Sequence, residues 1–319
     1  MATTTTPDRT RTIARLTRTP KRSSSGMERM ERRWGILLGL PAMLGFLAFT
    51  IGPMLASAWI SLTDWDIYTG ASYIGFDNYQ EMFTEDPLFF KSLWVTLYYA
   101  FASVPLVLLT GFAAALLLNA DVRGKAIFRT IFYLPVLVPL IANTVLWTWL
   151  FNPDFGLFNS LLEQFSLPTS QWLYDPGTVI PSLILMAVWG FGNSAVIFLA
   201  GLQGVPAHLY EAVEVDGGGA WQKLRNVTLP MMTPTIFFNL IIGMIGAFQA
   251  FLEAYAMTDG GPNNGSLFYV LYLYRTAFTE SRMGYASALS WFLFVVILVI
   301  TVLIFRSARS WVYYEDNAA

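Results

Sequence analysis

Apolar and polar positions follow one another along this chain in long blocks. Six stretches are predominantly apolar over about twenty positions or more, the length that one helical crossing of a bilayer requires. They fall at 34–62, 92–118, 130–151, 179–202, 235–257 and 284–305. Prolines 41, 53, 105, 135, 139 and 181 interrupt them. Helices inside a membrane tolerate such breaks where neighbouring groups satisfy the carbonyls that proline leaves without a donor. The pattern therefore predicts an all-α membrane protein with six transmembrane helices, kinked and packed around a cavity. The first stretch follows a charged start but is roughly twice the length of a signal-peptide core, and so reads as a span that is kept.

Between the fourth and fifth stretches, the polar segment Val205–Pro234 retains a helical pattern. Leu209, Ala212, Val213 and Val215 share one arc, and Glu211 and Glu214 lie on another. The run Asp216-Gly217-Gly218-Gly219 breaks this helix. A second short helix is expected from Ala220, carrying Trp221, Leu224 and Val227 and ending before Pro230. Helix, glycine hinge, helix and proline make an amphipathic elbow of a kind that a groove on a partner can grip. A helix that lies on a lipid surface is typically rich in Lys and Arg on its polar face, whereas the first helix here carries acids there.

Composition agrees with the pattern: 55% of residues are hydrophobic and 13% charged, and the mean hydropathy is +0.51. With no cysteine there is no disulfide, thiolate or lipid-attachment site, and the single histidine, His208, reads as a solvated loop residue rather than a metal ligand. The distribution of charge says more than its sum. With the N-terminus inside, sixteen of the nineteen Lys and Arg residues lie on the inner side, leaving Lys91, Arg275 and Arg282 outside. That asymmetry predicts both termini and the elbow in the cytoplasm. Residues 1–33 read as a disordered basic tail, 34–306 as the transmembrane domain carrying the elbow at 205–234, and 307–319 as a short cytoplasmic tail. The loop 63–91 is acidic, and Trp34, Trp59, Trp65, Trp147 and Trp149 fall where interfacial anchors belong.

At this point the residues resemble a known family. Glu211-Ala212, then Gly217, then Val227-Thr228-Leu229-Pro230 resembles the EAA loop of the permeases of ATP-driven (ABC) importers. Gly124-Lys125-Ala126-Ile127-Phe128-Arg129 leading into Phe132-Tyr133-Leu134-Pro135, the stretch Thr258-Asp259-Gly260-Gly261-Pro262, and Met283-Gly284-Tyr285-Ala286-Ser287-Ala288-Leu289 are similar to the six-span carbohydrate permeases. The likeness covers nearly everything from Trp34 onward. Two departures stand out: Val213 replaces the second alanine of the motif, and Gly218 stands where alanine is more usual, which is expected to loosen the hinge. The large outer domain and two extra spans of the maltose-type first permease are missing.

The resemblance implies the type I ABC importer permease fold, with Glu211, Ala212, Asp216, Gly217, Leu229 and Pro230 coupling to a cytoplasmic ATPase. It implies a second permease subunit, a different chain in a heterodimer, two copies of the ATP-binding subunit and an extracytoplasmic sugar-binding protein, in a bacterial or archaeal plasma membrane. No cofactor is expected in this chain, ATP and Mg belonging to the partners, and no nucleic acid or metal. The chain agrees: at its one Gly-Lys pair, Asn119 stands in the place of the first glycine of a phosphate-binding loop and Ala126 in that of the Ser/Thr.

A path for a polar solute should be lined by polar and small groups. The fifth stretch offers Asn239, Gly243, Gly246, Gln249 and Glu253 at helical spacing; Asn143 with Trp147 and Trp189 with Asn193 form i, i+4 pairs in the third and fourth. Such residues also glue helices together, the expected role of Gly243 and Gly246. Glu253 is expected to pair with Arg275 or Arg282 or to reach outer water, in preference to binding a hydroxyl. No cation lies inside a span, which favours a neutral mono- or oligosaccharide. The alternatives are an importer of glycerol phosphate, amino acids or peptides, and an ion-driven secondary transporter, which would need ionisable groups mid-span or inverted repeats.

Overall fold

The structure, a computed structural model, describes residues 26–66, 70–120 and 124–313. Most of the expected basic tail, Arg123 and residues 314–319 of the C-terminal tail lie outside the described residues. The chain divides into two units, residues 1–56 and 57–319.

The first unit contains helix α1 (Gly26–Phe46), one turn of π-helix (Leu47–Ile51) and the start of α2 (Gly52–Ile60). The widened turn has a local cause. Pro53 has no amide hydrogen and its ring would press on the turn before it. Opening that turn by one residue lets the Gly52 N–H bond the Leu47 carbonyl instead.

The second unit begins with an antiparallel pair of strands, β1 (Thr63–Asp66) and β2 (Gly70–Tyr73), an element that hydropathy gave no reason to expect. Helices follow in the order α3 (Asp77–Thr84), α4 (Pro87–Asn119), α5 (Lys125–Leu137), α6 (Leu140–Leu150), α7 (Leu157–Gln164), α8 (Val179–Trp189), α9 (Gly192–Gln203), α10 (Ala207–Val215), α11 (Ala220–Lys223), α12 (Leu229–Phe248), α13 (Leu252–Met257), α14 (Tyr269–Tyr274) and α15 (Met283–Trp311). A 3₁₀ turn at Trp172–Tyr174 and π turns at Leu224–Thr228 and Arg275–Thr279 complete the path.

Four helical stretches, Arg33–Ile60, Pro87–Asn119, Ala220–Phe248 and Met283–Trp311, are each long and apolar enough to cross a membrane, and two bent pairs bring the candidate crossings to six. The expected kinks are sharp breaks in two of these candidates. The third candidate turns by 98° between α5 and α6, where Pro139 forces Val138 into an extended conformation, φ −74° and ψ 124°. The fourth bends by 43° at Gly190–Phe191. The fifth stops at Phe248, and residues 249–251 separate it from α13.

Helix α4 is the spine of this unit, packing against α5, α8, α9, α12 and α14. Close approach depends on missing side chains: a Cβ on Gly111 would lie 2.9 Å from the Ser194 Cβ on α9, and one on Gly192 would lie 2.6 Å from the Phe132 carbonyl oxygen on α5. At the start of α4, the Asp86 carboxylate collects four donors. Oδ1 caps the helix through the N–H groups of Leu88 (2.9 Å) and Phe89 (3.1 Å). Oδ2 accepts from the hydroxyls of Tyr272 (2.6 Å) and Tyr285 (2.5 Å), so one carboxylate joins α4, α14 and α15. Burial, and then the hydrogen bond to Asp86, push the Tyr272 hydroxyl well above the usual tyrosine range, which keeps it a donor. The Tyr269 N–H donates to the Thr96 hydroxyl at 2.8 Å and its own hydroxyl to the Leu289 carbonyl at 3.0 Å, a second tie between the same helices.

Asp86→Ala removes the cap and leaves two tyrosine hydroxyls without their acceptor, and is expected to cost about 2–4 kcal/mol. Tyr272→Phe alone should cost about 1–2 kcal/mol. Tryptophan-fluorescence melts in detergent check this ranking; unchanged midpoints for both variants would show that the carboxylate does not hold these helices.

Candidate functional site

The elbow is more strongly braced than its glycines imply. Helix α10 ends in a Schellman motif: Gly217 takes a left-handed conformation at φ +78°, its N–H bonds the Glu214 carbonyl, and the Gly218 N–H bonds the Val213 carbonyl at 2.8 Å. The Gly219 N–H is held by the Gln222 side chain at 2.6 Å. Glu214 and Lys223 form an ion pair across the bend, and the Tyr210 and Thr228 hydroxyls meet at 3.1 Å.

The expected single apolar arc divides. Leu209 and Val213 are half-buried, while Ala212 and Val215 are exposed. Val215 is 89% and Trp221 69% accessible, and Glu211, Asp216 and Gly217 are also exposed. The elbow thus presents apolar side chains and acids together. Its second helix does not end before Pro230: α11 runs through the π turn Leu224–Thr228 into α12, with the Leu229 N–H reaching the Leu224 carbonyl. Pro230 follows this π turn, which takes up the hydrogen bond that its missing N–H would otherwise break.

The loosening expected from Gly218 is corrected as well. A Cβ placed there would lie 2.4 Å from Cγ1 of Val213. The larger residue at 213 occupies part of the volume that an alanine at 218 would need, and the Val213 carbonyl oxygen, 2.8 Å from the same point, occupies more, so the two departures from the family pattern compensate each other in part.

A cavity of about 420 Å³ lies among α4, α8, α9 and α12 and the start of α13. Gly243, Gly246, Gln249 and Glu253 all line it, together with Tyr99, Ser103 and Ser194. Gly243 is a packing glycine, its hypothetical Cβ 3.1 Å from Val104, whereas Gly246 faces open space. Asn239 is turned away, buried and donating to the Thr235 carbonyl of its own helix at 3.0 Å. Glu253 lines the cavity rather than pairing with either outer arginine: Arg275 binds Asp259 at 2.8 Å and Arg282 binds Glu81 at 2.6 Å.

The tryptophans lie elsewhere. Trp147 and Trp189 border a mainly apolar cavity of about 400 Å³, their rings 6.3 Å apart. Trp147 is a buried member of an aromatic cluster with Phe151 and Phe158 and not an interfacial anchor. Its Nε1 has no hydrogen-bond partner among the described residues. The break after Trp189 separates it from Asn193, so the expected common helical face is absent; Asn193 is exposed and Asn143 half-buried, and neither borders the two cavities. What sequence reading missed was Tyr99, Ser103 and Ser194, since residues on α4 and α9 face the α12 stripe only after packing.

Broken apolar helices around a cavity that carries a few polar groups, joined to a braced and exposed amphipathic elbow, define the class as a polytopic membrane subunit. The chain belongs to the family of binding-protein-dependent transport system inner membrane components, whose profile matches residues 107–312. It is 43% identical to the probable ABC transporter permease protein YesP of Bacillus subtilis, over 87% of this chain and 91% of that protein. It is 34% identical to the diacetylchitobiose uptake system permease NgcF of Streptomyces coelicolor, over 85% and 81% respectively. It is 30% identical to the trehalose/maltose transport system permease MalF of Thermococcus litoralis, over 90% and 97%. Among solved structures, a chain of a bacterial alginate ABC transporter in complex with its pentasaccharide-bound periplasmic protein superposes with a TM-score of 0.77 at 26% identity, over 88% of this chain and 96% of that one.

The Val213–Gly218 contact predicts a coupled pair. Gly218→Ala alone should lower the melting midpoint by overpacking, at about 1–3 kcal/mol. The double variant Val213→Ala/Gly218→Ala should recover the part of that loss due to the Val213 side chain, leaving the 2.8 Å approach to the Val213 carbonyl oxygen. Additive losses in this double-mutant cycle would rule the compensation out.

Proposed function

We propose that this chain is the permease subunit of an ATP-driven importer for a neutral carbohydrate, contributing half of an alternating-access path and performing no chemistry of its own. The elbow carries the reading. Its caps, ion pair and continuity with α12 suit it to act as a stiff lever, and its exposed Ala212, Val215 and Trp221 beside Glu211 suit it to a groove with a basic rim on an ATPase. ATP and Mg are bound by that partner in two copies, and a second permease completes the path. In this reading the elbow and both termini face the cytoplasm of a bacterial or archaeal cell, and a binding protein delivers the sugar from outside.

Several relatives are named for saccharides, among them diacetylchitobiose, trehalose/maltose and arabinooligosaccharides. The cavity adds a physical reason for neutrality. Its polar groups are hydroxyls, an amide and the Glu253 carboxylate, with no Lys or Arg among the lining residues. A carboxylate accepts from sugar hydroxyls but repels a phosphate or a uronate.

In the reconstituted importer, Glu211→Arg is expected to lower ATP-driven uptake and recovery of the ATPase with the tagged permease by at least about tenfold. Unchanged recovery and uptake would refute the coupling role. Orientation is testable because the chain has no cysteine. In whole cells, an impermeant maleimide should label Asn263→Cys, and should label Gln222→Cys only after permeabilisation. The reverse pattern would invert the topology.

A further inference from the structure

A further cavity, of about 360 Å³, opens where the Trp172–Tyr174 turn meets α13 and the 258–262 loop. Like the central cavity, its volume falls within the roughly 300–1,000 Å³ typical of small-molecule sites. Its walls combine aromatic faces with a fixed acceptor. Tyr174 and Tyr255 are 57% and 45% accessible. Asp259 is held through its carboxylate by Arg275 at 2.8 Å, and the same guanidinium also donates to the Asp259 backbone carbonyl. The loop behind it is closed by a 2.6 Å contact between the Thr258 and Ser266 hydroxyls and by the Ser266 hydroxyl donating to the Gly261 carbonyl. An acceptor already held in place binds a hydroxyl without a further ordering cost.

Helix α13 borders both this cavity and the central one. Leu252 and Glu253 line the central cavity, and Tyr255, Ala256 and Met257 line the outer one. The Phe251 ring of the central cavity stacks on Tyr255 with centroids 5.2 Å apart and planes within 15°. Aromatic surface therefore runs from one cavity into the next. Neither the elbow nor the central cavity accounts for exposed tyrosines here.

We propose that this outer cavity is a second carbohydrate subsite, in which one sugar ring lies against Tyr255 and Tyr174 and donates hydroxyl hydrogen bonds to Asp259, while the next ring of the same saccharide reaches the central cavity. The inference rests on the carbohydrate reading and deepens it: the chain handles saccharides of two or more units. A sugar ring offers an apolar C–H face to an aromatic ring and a rim of hydroxyls to a carboxylate, which is the pairing of groups found here.

The test is direct binding to the assembled permease–ATPase complex in nanodiscs, without binding protein, using glucose, N-acetylglucosamine, maltose, maltotriose, diacetylchitobiose and arabinotriose. Tyr255→Ala and Asp259→Asn are expected to weaken binding of the multi-unit sugars by about tenfold and to leave the single-unit sugars unchanged. Melting midpoints establish that the variants are folded. Equal losses for single and multiple units, or no loss at all, would overturn the subsite. So would variants that bind every sugar normally but respond less to the liganded binding protein, which would make this surface a protein-docking face. If the wild-type complex binds none of these sugars and imports none of them, the carbohydrate reading fails and the subsite with it; import with unchanged binding in the variants removes only the subsite.

Discussion

A lipid environment offers no hydrogen bonds, so every backbone group that proline, glycine or a bend sets free must find another partner. This constraint decides where the helices of this chain are allowed to break. Before Pro53 and again before Pro230 the chain opens one turn to π geometry, so that the next amide reaches back five residues. At Pro139 no such adjustment is made, and the helix turns by 98° instead. The breaks at 138–139, 190–191 and 249–251 all fall next to helices that border the central cavity, and Leu140, Gln249 and Phe251 line it directly. The same irregularities that weaken the helices as uniform cylinders thus expose polar groups to an interior space.

The elbow follows a different logic, since it must be exposed and stiff at once. Exposure is supplied by Ala212, Val215 and Trp221, and stiffness by contacts made within the elbow. Gly217 is present because the Schellman cap requires φ of +78°, a conformation that costs a residue with Cβ about 1–2 kcal/mol. Gly218 is present for a different reason, the bulk of Val213. A glycine run that reads as flexible is in this case a hydrogen-bonded cap. In the proposed importer, motion of an ATPase would pass through α11 and the π turn into α12 without a joint between them.

Charge in the second unit is arranged to leave the central cavity acidic. The two arginines nearest in sequence to Glu253 on its C-terminal side are bound by Asp259 and Glu81, and Asp86 is occupied by two amides and two tyrosines. Glu253 remains with Gln249, Ser103 and Ser194 around the space. A solved bacterial ABC transporter that shares the fold is described as importing the acidic polysaccharide alginate, so the fold by itself does not dictate the charge of the solute. In the proposed importer that property would rest with the side chains lining the cavity.

Six apolar stretches, the asymmetry of Lys and Arg, and the spacing from Glu211 to Pro230 were legible in the sequence because each depends on local order along one segment. Length and hydropathy define a crossing, and helical periodicity defines an amphipathic face; Gly243 and Gly246 could be read for the same reason, whereas Gln249 and Glu253 line the cavity from beyond the end of α12. The β1–β2 pair, the burial of Trp147 and the turning away of Asn239 could not, since hydropathy reports neither strand pairing nor which face of a helix is turned to its neighbours. Trp189 and Asn193 show the limit most clearly. Four residues apart, they would share a face on a straight helix, but the bend at Gly190–Phe191 divides them. Which residues from α4 and α9 complete the cavity, and which carboxylate each arginine takes, was decided only when α4 packed against its neighbours, because side-chain pairing across helices depends on their relative rotation, which no single segment encodes.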